Sequence, residues 1–222
     1  MTAVQDRFIF CDIDGTLLYA KGSGRPAFGA AFFDAFGVSI SVDHINFSGA
    51  TDLGVLARLA SENGQVLSEE KTALFFERMA FYLDENMKER PPIVFPGVGR
   101  FLERVSGQWK LGLVSGNTRT TAYLKLKHGG LERYFSDIGG FGDDDSDRNR
   151  MAALALERAG HPEGSFLLGD TPSDIEAARV NGMTSVAVCN GQFSREMLEA
   201  EQPDIVVDSF DDAEHLFRIL DV

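Results

Sequence analysis

The chain has 222 residues, 44% of them hydrophobic, which suits one or two globular domains of about 100–200 residues each. Its 34 acidic residues against 21 basic ones give a formal charge of -13, excluding general nucleic-acid binding and attraction to an anionic membrane surface. Cys11 and Cys189 make no disulfide framework, the polar start is too short for a signal peptide, and no apolar run reaches about 18 residues; a reducing, cytoplasmic setting is expected.

The first element is an unbroken apolar run, Phe8-Ile9-Phe10-Cys11, as in a strand buried on both faces. Asp12 and Asp14 follow where that strand should end. Side chains two apart on a strand share a face, so both carboxylates can converge on one point, and Gly15 then permits a sharp turn. Taken alone, an Asx-turn closing a strand would also explain the pair.

Residues 20–90 read as helical, with no strand. The expected helices cover 27–36, 53–62 (capped at Thr51-Asp52) and about 69–88 (capped at Ser68), until Pro91-Pro92 breaks the pattern. Beyond Ile93, strands and helices alternate. A helix over 99–106 precedes a strand over 109–114, which ends at Ser115-Gly116-Asn117. A helix from Thr118 to about His128 follows, then a short strand over 135–138 and an acidic loop over 143–147. A helix over 148–159 leads to a strand over 165–168, ended by Gly169-Asp170. In the helix over 171–181, Thr171 is the expected N-cap, Pro172 the first residue, and Asp174 completes a capping-box arrangement. Strands over 184–188 and 204–207 and a helix over 211–220 finish the chain.

This alternation predicts an α/β protein whose parallel sheet carries helices on both faces, built from residues 1–18 and 92–222 and interrupted by a helical insert over 19–91. Crossover connections keep parallel strands pointing one way, so Asp12/Asp14, Ser115/Asn117 and Asp170/Asp174 should meet at one sheet edge. A helix start at Thr118 favours anions beside Ser115 and Gly116, although simple capping explains Ser115 and Thr118 equally. The carboxylates make an oxygen-only site that suits Mg²⁺, whereas His44, His128, His161 and His215 are scattered and read as surface or cap residues.

The run Asp12-Ile13-Asp14-Gly15-Thr16 resembles the nucleophile motif Asp-x-Asp-Gly-Thr of the haloacid dehalogenase superfamily. Ser115 at a strand end resembles its second motif. Gly169-Asp170 with Asp174, Ile175 and the pair Ala177-Ala178 resembles its fourth. The insert looks like the helical cap of the phosphoglycolate phosphatase and β-phosphoglucomutase branch. The resemblance implies a Rossmann-like core with an all-α cap, and a Mg²⁺-dependent phosphatase acting on a small phosphorylated metabolite through an aspartyl-phosphate. Asp12 would be the nucleophile and Asp14 the general acid/base. The metal would lie at Asp12, Asp14, Asp170 and Asp174, and the phosphate at Gly15, Thr16, Ser115, Gly116, Asn117 and Arg148.

The family's third-motif Lys-Pro pair is absent, and no lysine lies between Gly129 and Gly169. Among Arg133, Arg148, Arg150 and Arg158, Arg148 stands at the expected helix start and is chosen, with Arg150 as runner-up. Lys125 and Lys127 read as surface charges. A phosphomutase would use the same residues. A dehalogenase or a phospho-acceptor receiver domain fits less well, because of the Asp170/Asp174 pair and of Asp14 with the insert.

Overall fold

Phe8–Cys11 form strand β1, and all four side chains are buried. They alternate between two hydrophobic clusters, Ile9 and Cys11 entering one and Phe8 and Phe10 the other. A strand with no wet face needs a layer on each side. The computed structural model, which describes residues 7–212 and 214–222, supplies both. Residues 1–6 of the expected core segment and position 213 of the expected last helix lie outside the described residues.

After the turn at Asp14 the chain enters a two-stranded antiparallel ribbon, β2 (Leu18–Tyr19) paired with β3 (Ile93–Val94). Between its strands lie α1 (Gly24–Phe36), α2 (Asp52–Glu62) and α3 (Glu69–Glu89). Thr51 and Ser68 cap the second and third of these by accepting backbone N–H groups, and Gly37 ends the first in the left-handed region. Phe28, Phe32, Leu56, Leu59 and Phe75 form a hydrophobic cluster within this insert, while Leu83 and Met87, further along α3, join the core cluster beneath the sheet. The ribbon flanks the segment read as helical, 20–90, whose three helices contain no strand, and the ribbon itself was not expected. Two residues a strand carry too little periodicity to be read, and β2 straddles the expected boundary at 18/19.

The rest of the chain builds one six-stranded sheet. Its helices are α4 (Val98–Val105), α5 (Arg119–His128), α6 (Arg148–Arg158), α7 (Pro172–Val180), α8 (Arg195–Ala200) and α9 (Glu214–Leu220). Its remaining strands are β4 (Lys110–Ser115), β5 (Gly139–Phe141), β6 (Phe166–Gly169), β7 (Thr184–Val188) and β8 (Ile205–Val207), in the order β5-β4-β1-β6-β7-β8 with every pair parallel. On one face, Phe101 and Leu102 of α4, Leu126 of α5 and Phe217 of α9 cover Ile9 and Cys11. On the other, the alanines Ala152, Ala155, Ala177 and Ala178 bring α6 and α7 close to Phe8 and Phe10. Each large apolar side chain buried this way contributes about 1.5–3 kcal/mol.

Two expectations shift. The strand expected over 135–138 lies at Gly139–Phe141 instead, because Ser136 turns its N–H and hydroxyl to Leu111 O and only the glycines can enter the narrow space beyond. A Cβ on Gly140 would overlap the Met151 carbonyl of α6, and one on Gly139 the Leu113 carbonyl of β4. Helix α8 was not anticipated at all.

Gly140→Ala should therefore destabilise the protein by about 1–3 kcal/mol or more, as overpacking does. Gly107, in a turn where an added Cβ meets nothing, is the control: Gly107→Ala should stay within about 0.5 kcal/mol. Urea midpoints of the two variants measure the difference.

Candidate active site

The three strand ends singled out from the sequence are neighbours. Strand β1 lies between β4 and β6, so Asp12 after β1 is flanked by Ser115, the last residue of β4, and by Asp170, just past β6. The chain steps from β1 to opposite sides of it to lay down β4 and β6, and this switch in strand order opens a crevice at the carboxyl edge. All three residues are buried.

Arg148, the first residue of α6, is the cation at the centre. Asp147 caps that helix by accepting the Asn149 N–H, which aims the Arg148 side chain at the sheet edge. Its Nη2 lies 3.0 Å from Asp12 Oδ1 and 2.6 Å from Asp174 Oδ1, Nε donates to the same Asp174 oxygen at 2.8 Å, and Nη2 also reaches Val114 O at 3.2 Å. Arg150 points away, three-quarters exposed, and pairs loosely with Asp145.

Asp174 closes the capping box of α7. Its Oδ2 accepts the Thr171 N–H at 3.1 Å and the Thr171 hydroxyl at 2.6 Å, while Thr171 Oγ1 accepts the Asp174 N–H. Both carboxylate oxygens are thus committed, one to the helix cap and one to Arg148. Capping and site-building are a single arrangement here.

Asp170 sits in a slot between Gly15 and Gly191, either of which would strike its carboxylate with a Cβ; Gly15 also needs its positive φ of 84°. Thr16 donates its hydroxyl to Asp170 Oδ1 at 3.0 Å. Thr16, expected beside the phosphate, is completely buried and lies outside the cavity wall; it orients Asp170 instead. Carboxylate oxygens of Asp12, Asp170 and Asp174 lie within 4.8 Å of one another. Burial, with the charges of Asp12 and Asp174, pushes Asp170 up to about 8. Burial pushes Asp12 up to about 6 against the opposing pull of Arg148. A hard, oxygen-only cluster that resists its own ionisation fits a divalent cation such as Mg²⁺. Asp12, Asp170 and Asp174 are the carboxylates that could hold it, Asp174 already bonded on both oxygens, and the Asp14 side chain lies outside the cluster.

Asp14 turns instead toward Asn117 and Lys125. Asn117 Nδ2 donates to Asp14 Oδ2 and to Ser115 Oγ, both at 2.8 Å, and Lys125 Nζ donates to Asp14 Oδ2 and to Asn117 Oδ1. Lys125 is therefore no surface charge: it is 7% exposed. The signal was present in α5, where Thr121, Ala122, Lys125 and Leu126 form one buried stripe at helical spacing and Lys127 falls off it.

The insert closes the site from above. Asp52 donates its N–H to Gly116 O at 2.7 Å and accepts the Thr118 N–H on Oδ2 at 3.0 Å. Leu53 N–H reaches Gly142 O, and the Thr51 hydroxyl reaches Ser146 O. Between insert and core lies a cavity of about 420 Å³. Asp12, Asp14, Gly15, Ser115, Gly116 and Asn117 contribute to its floor, and Phe47, Met79, Leu83 and Arg25 to the insert side. Arg25 is braced by the carbonyls of Val42 and Ile45 and lies over the Phe47 ring. Arg58 faces solvent and pairs with Glu62.

The chain is similar to known proteins in sequence and in fold. The family described as haloacid dehalogenase-like hydrolase matches residues 9–179, and a second, HAD-hydrolase-like, matches 148–213. The chain is 28% identical over 213 residues to "Probable phosphatase IndB" of Dickeya dadantii, covering 91% of this chain and 89% of that one. It is 32% identical over 117 residues to a phosphoglycolate phosphatase of Synechococcus elongatus, covering 52% of this chain and 55% of the relative. In fold it is similar to CbbY from Rhodobacter sphaeroides, solved in complex with phosphate, with a TM-score of 0.75, 20% identity, and 94% and 96% of the two chains covered.

Removing Arg148 leaves two buried carboxylates without their cation. Arg148→Met should cost about 3–5 kcal/mol of stability. Arg150→Ala should stay within about 0.5 kcal/mol. Denaturant titration of both variants checks the assignment.

Asp12 and Asp170 hold protons more tightly in the folded chain than in the unfolded one, where aspartates titrate near 3.9. Their contribution to stability is intact below about pH 4 and is lost as pH rises through about 6 and then about 8. In chelator, the melting temperature should therefore carry a downward component between about pH 4 and about pH 8, and Asp170→Asn should remove its upper part.

Proposed function

Because the chain belongs to the haloacid dehalogenase-like hydrolase family, we propose that it is a Mg²⁺-dependent phosphatase that hydrolyses a small phosphomonoester in the cytoplasm through an aspartyl-phosphate on Asp12. The observation that carries this reading is the setting of Asp12: a buried carboxylate at the end of a central strand, paired with Arg148, beside Asp170, at the floor of the cavity between core and insert. The cavity volume suits a small metabolite, and the names of the relatives support a phosphorylated one.

An oxygen of Asp12 attacks phosphorus while the bond to the leaving oxygen breaks, dividing the reaction into two easier steps. Asp14 gives its proton to the departing alkoxide. It then takes a proton from the water that attacks phosphorus and releases Asp12 and free phosphate. Ser115 Oγ, Arg148 and the main-chain N–H groups at Gly116 and Asn117 bind the remaining phosphate oxygens. Asp12, Asp170 and the Asp14 main-chain carbonyl would hold Mg²⁺, with Asp174 acting on the site through Arg148. When bound, the cation neutralises charge on the phosphoryl oxygens.

Phosphate release from a panel of phosphorylated metabolites, with and without Mg²⁺, tests the reading. One phosphate per substrate consumed separates hydrolysis from phosphomutase chemistry. Asp12→Asn should abolish turnover, and Asp14→Asn should lower it about 10²–10⁴-fold on a poor leaving group. Mg²⁺ should raise the melting temperature by mass action, and Asp170→Ala should remove that shift. A folded Asp12→Asn protein with near wild-type turnover would end the covalent mechanism.

A further inference from the structure

Both hydrogen bonds to the Asp14 carboxylate fall on Oδ2, from Lys125 Nζ and Asn117 Nδ2, which leaves Oδ1 to address a substrate. Asp14 comes from the turn after β1 and Lys125 from the second turn of α5, and nothing in the chemistry assigned above uses this lysine. A buried ammonium needs opposing charge around it. One carboxylate is Asp14 itself. The other is Asp52, at the start of α2 in the insert, which is 8% exposed and lines the same cavity as Lys125. Burial pushes the Asp52 carboxyl up to about 6, and the strongest opposing influence on it is the Lys125 charge.

Asp52 takes this position because α2 is seated on the loop after β4. Its N–H goes to Gly116 O, its Oδ2 accepts the Thr118 N–H, and Gly116 lies so close to the Ala50 carbonyl that a Cβ there would overlap it. Main-chain contacts thus seat the Asp52 carboxylate on the wall it shares with Lys125, where the two opposite charges act on each other through space, and Lys125 in turn donates to Asp14.

We propose that Lys125 is a positioning residue for Asp14, and that Asp52 of the insert holds Lys125 in place, so that the proton-transfer carboxylate is correctly aimed only while α2 is seated on the core. This inference rests on the role of Asp14 proposed above, and its test separates the two.

The readout is kcat/KM for phenyl phosphate, whose leaving group needs a proton, against p-nitrophenyl phosphate, whose phenolate departs without one. The ratio is taken within one preparation, so a partly unfolded sample does not alter it. Asp14→Asn sets the reference and should depress phenyl phosphate on the order of 10²-fold relative to p-nitrophenyl phosphate. Lys125→Met should shift the ratio the same way by at least about tenfold, Lys125→Arg should recover part of it, and Asp52→Asn should give a smaller shift that vanishes in the Lys125→Met background. Equal losses on both substrates in Lys125→Met, with Asp14→Asn discriminating, would overturn the positioning role. Shifts from Asp52→Asn and Lys125→Met that simply add would overturn the link to the insert. If Asp14→Asn itself leaves the ratio unchanged, the reading of Asp14 as the acid fails and the inference fails with it.

Discussion

One guanidinium holds the catalytic edge together. Arg148 joins the end of β1 through Asp12, the start of α7 through Asp174, and β4 through the Val114 carbonyl. Three buried carboxyls, those of Asp12, Asp170 and Asp174, face this one buried guanidinium. Burial first, and this imbalance second, explain why Asp170 resists ionisation. The imbalance also sets a condition on any phosphorylated substrate, since further negative charge can enter such a cluster only if more positive charge comes with it. A divalent cation would supply that charge, in keeping with the proposed function.

Core and insert divide the remaining work. The core supplies charge, fixed by strand ends and helix caps whose geometry leaves little freedom. The insert supplies shape: Phe47, Met79 and Leu83 make an apolar wall, and Arg25, braced by two main-chain carbonyls, fixes the loop that carries Phe47. Seating depends on main-chain groups at Asp52, Leu53, Gly116 and Gly142, so the wall residues are free to differ without disturbing the seat.

Much of this was legible in the sequence because local chemistry and global role coincide. The apolar run ending in Asp12 and Asp14, the Thr171–Pro172–Asp174 start of α7 and the placement of Arg148 at the head of α6 each follow from short-range rules that the fold obeys. The misses have physical causes. Strand β5 hides in glycines, which carry no hydrophobic signal and are selected by the closeness of Met151. Ribbon strands of two residues have no measurable period. Thr16 was read by its place in a motif, yet its hydroxyl is spent on Asp170. Lys125 was judged by residue type when its position on the buried stripe of α5 was the better guide.

The partners of the site lie far apart along the chain. The Thr16–Asp170 bond spans 154 residues, whereas Arg148 and Asp174 are only 26 apart. During synthesis Asp12, the proposed nucleophile, leaves the ribosome near the beginning, and Arg148, Asp170 and Asp174 follow only after the insert and much of the sheet have been made. The local Arg148–Asp174 unit can form early once α6 and α7 exist, but joining it to β1 means closing a very long loop, a slow and entropically costly event. A chain truncated before β6 would therefore carry Asp12 without Asp170 and Asp174, so the acidic cluster is complete only late, in the last stage of folding.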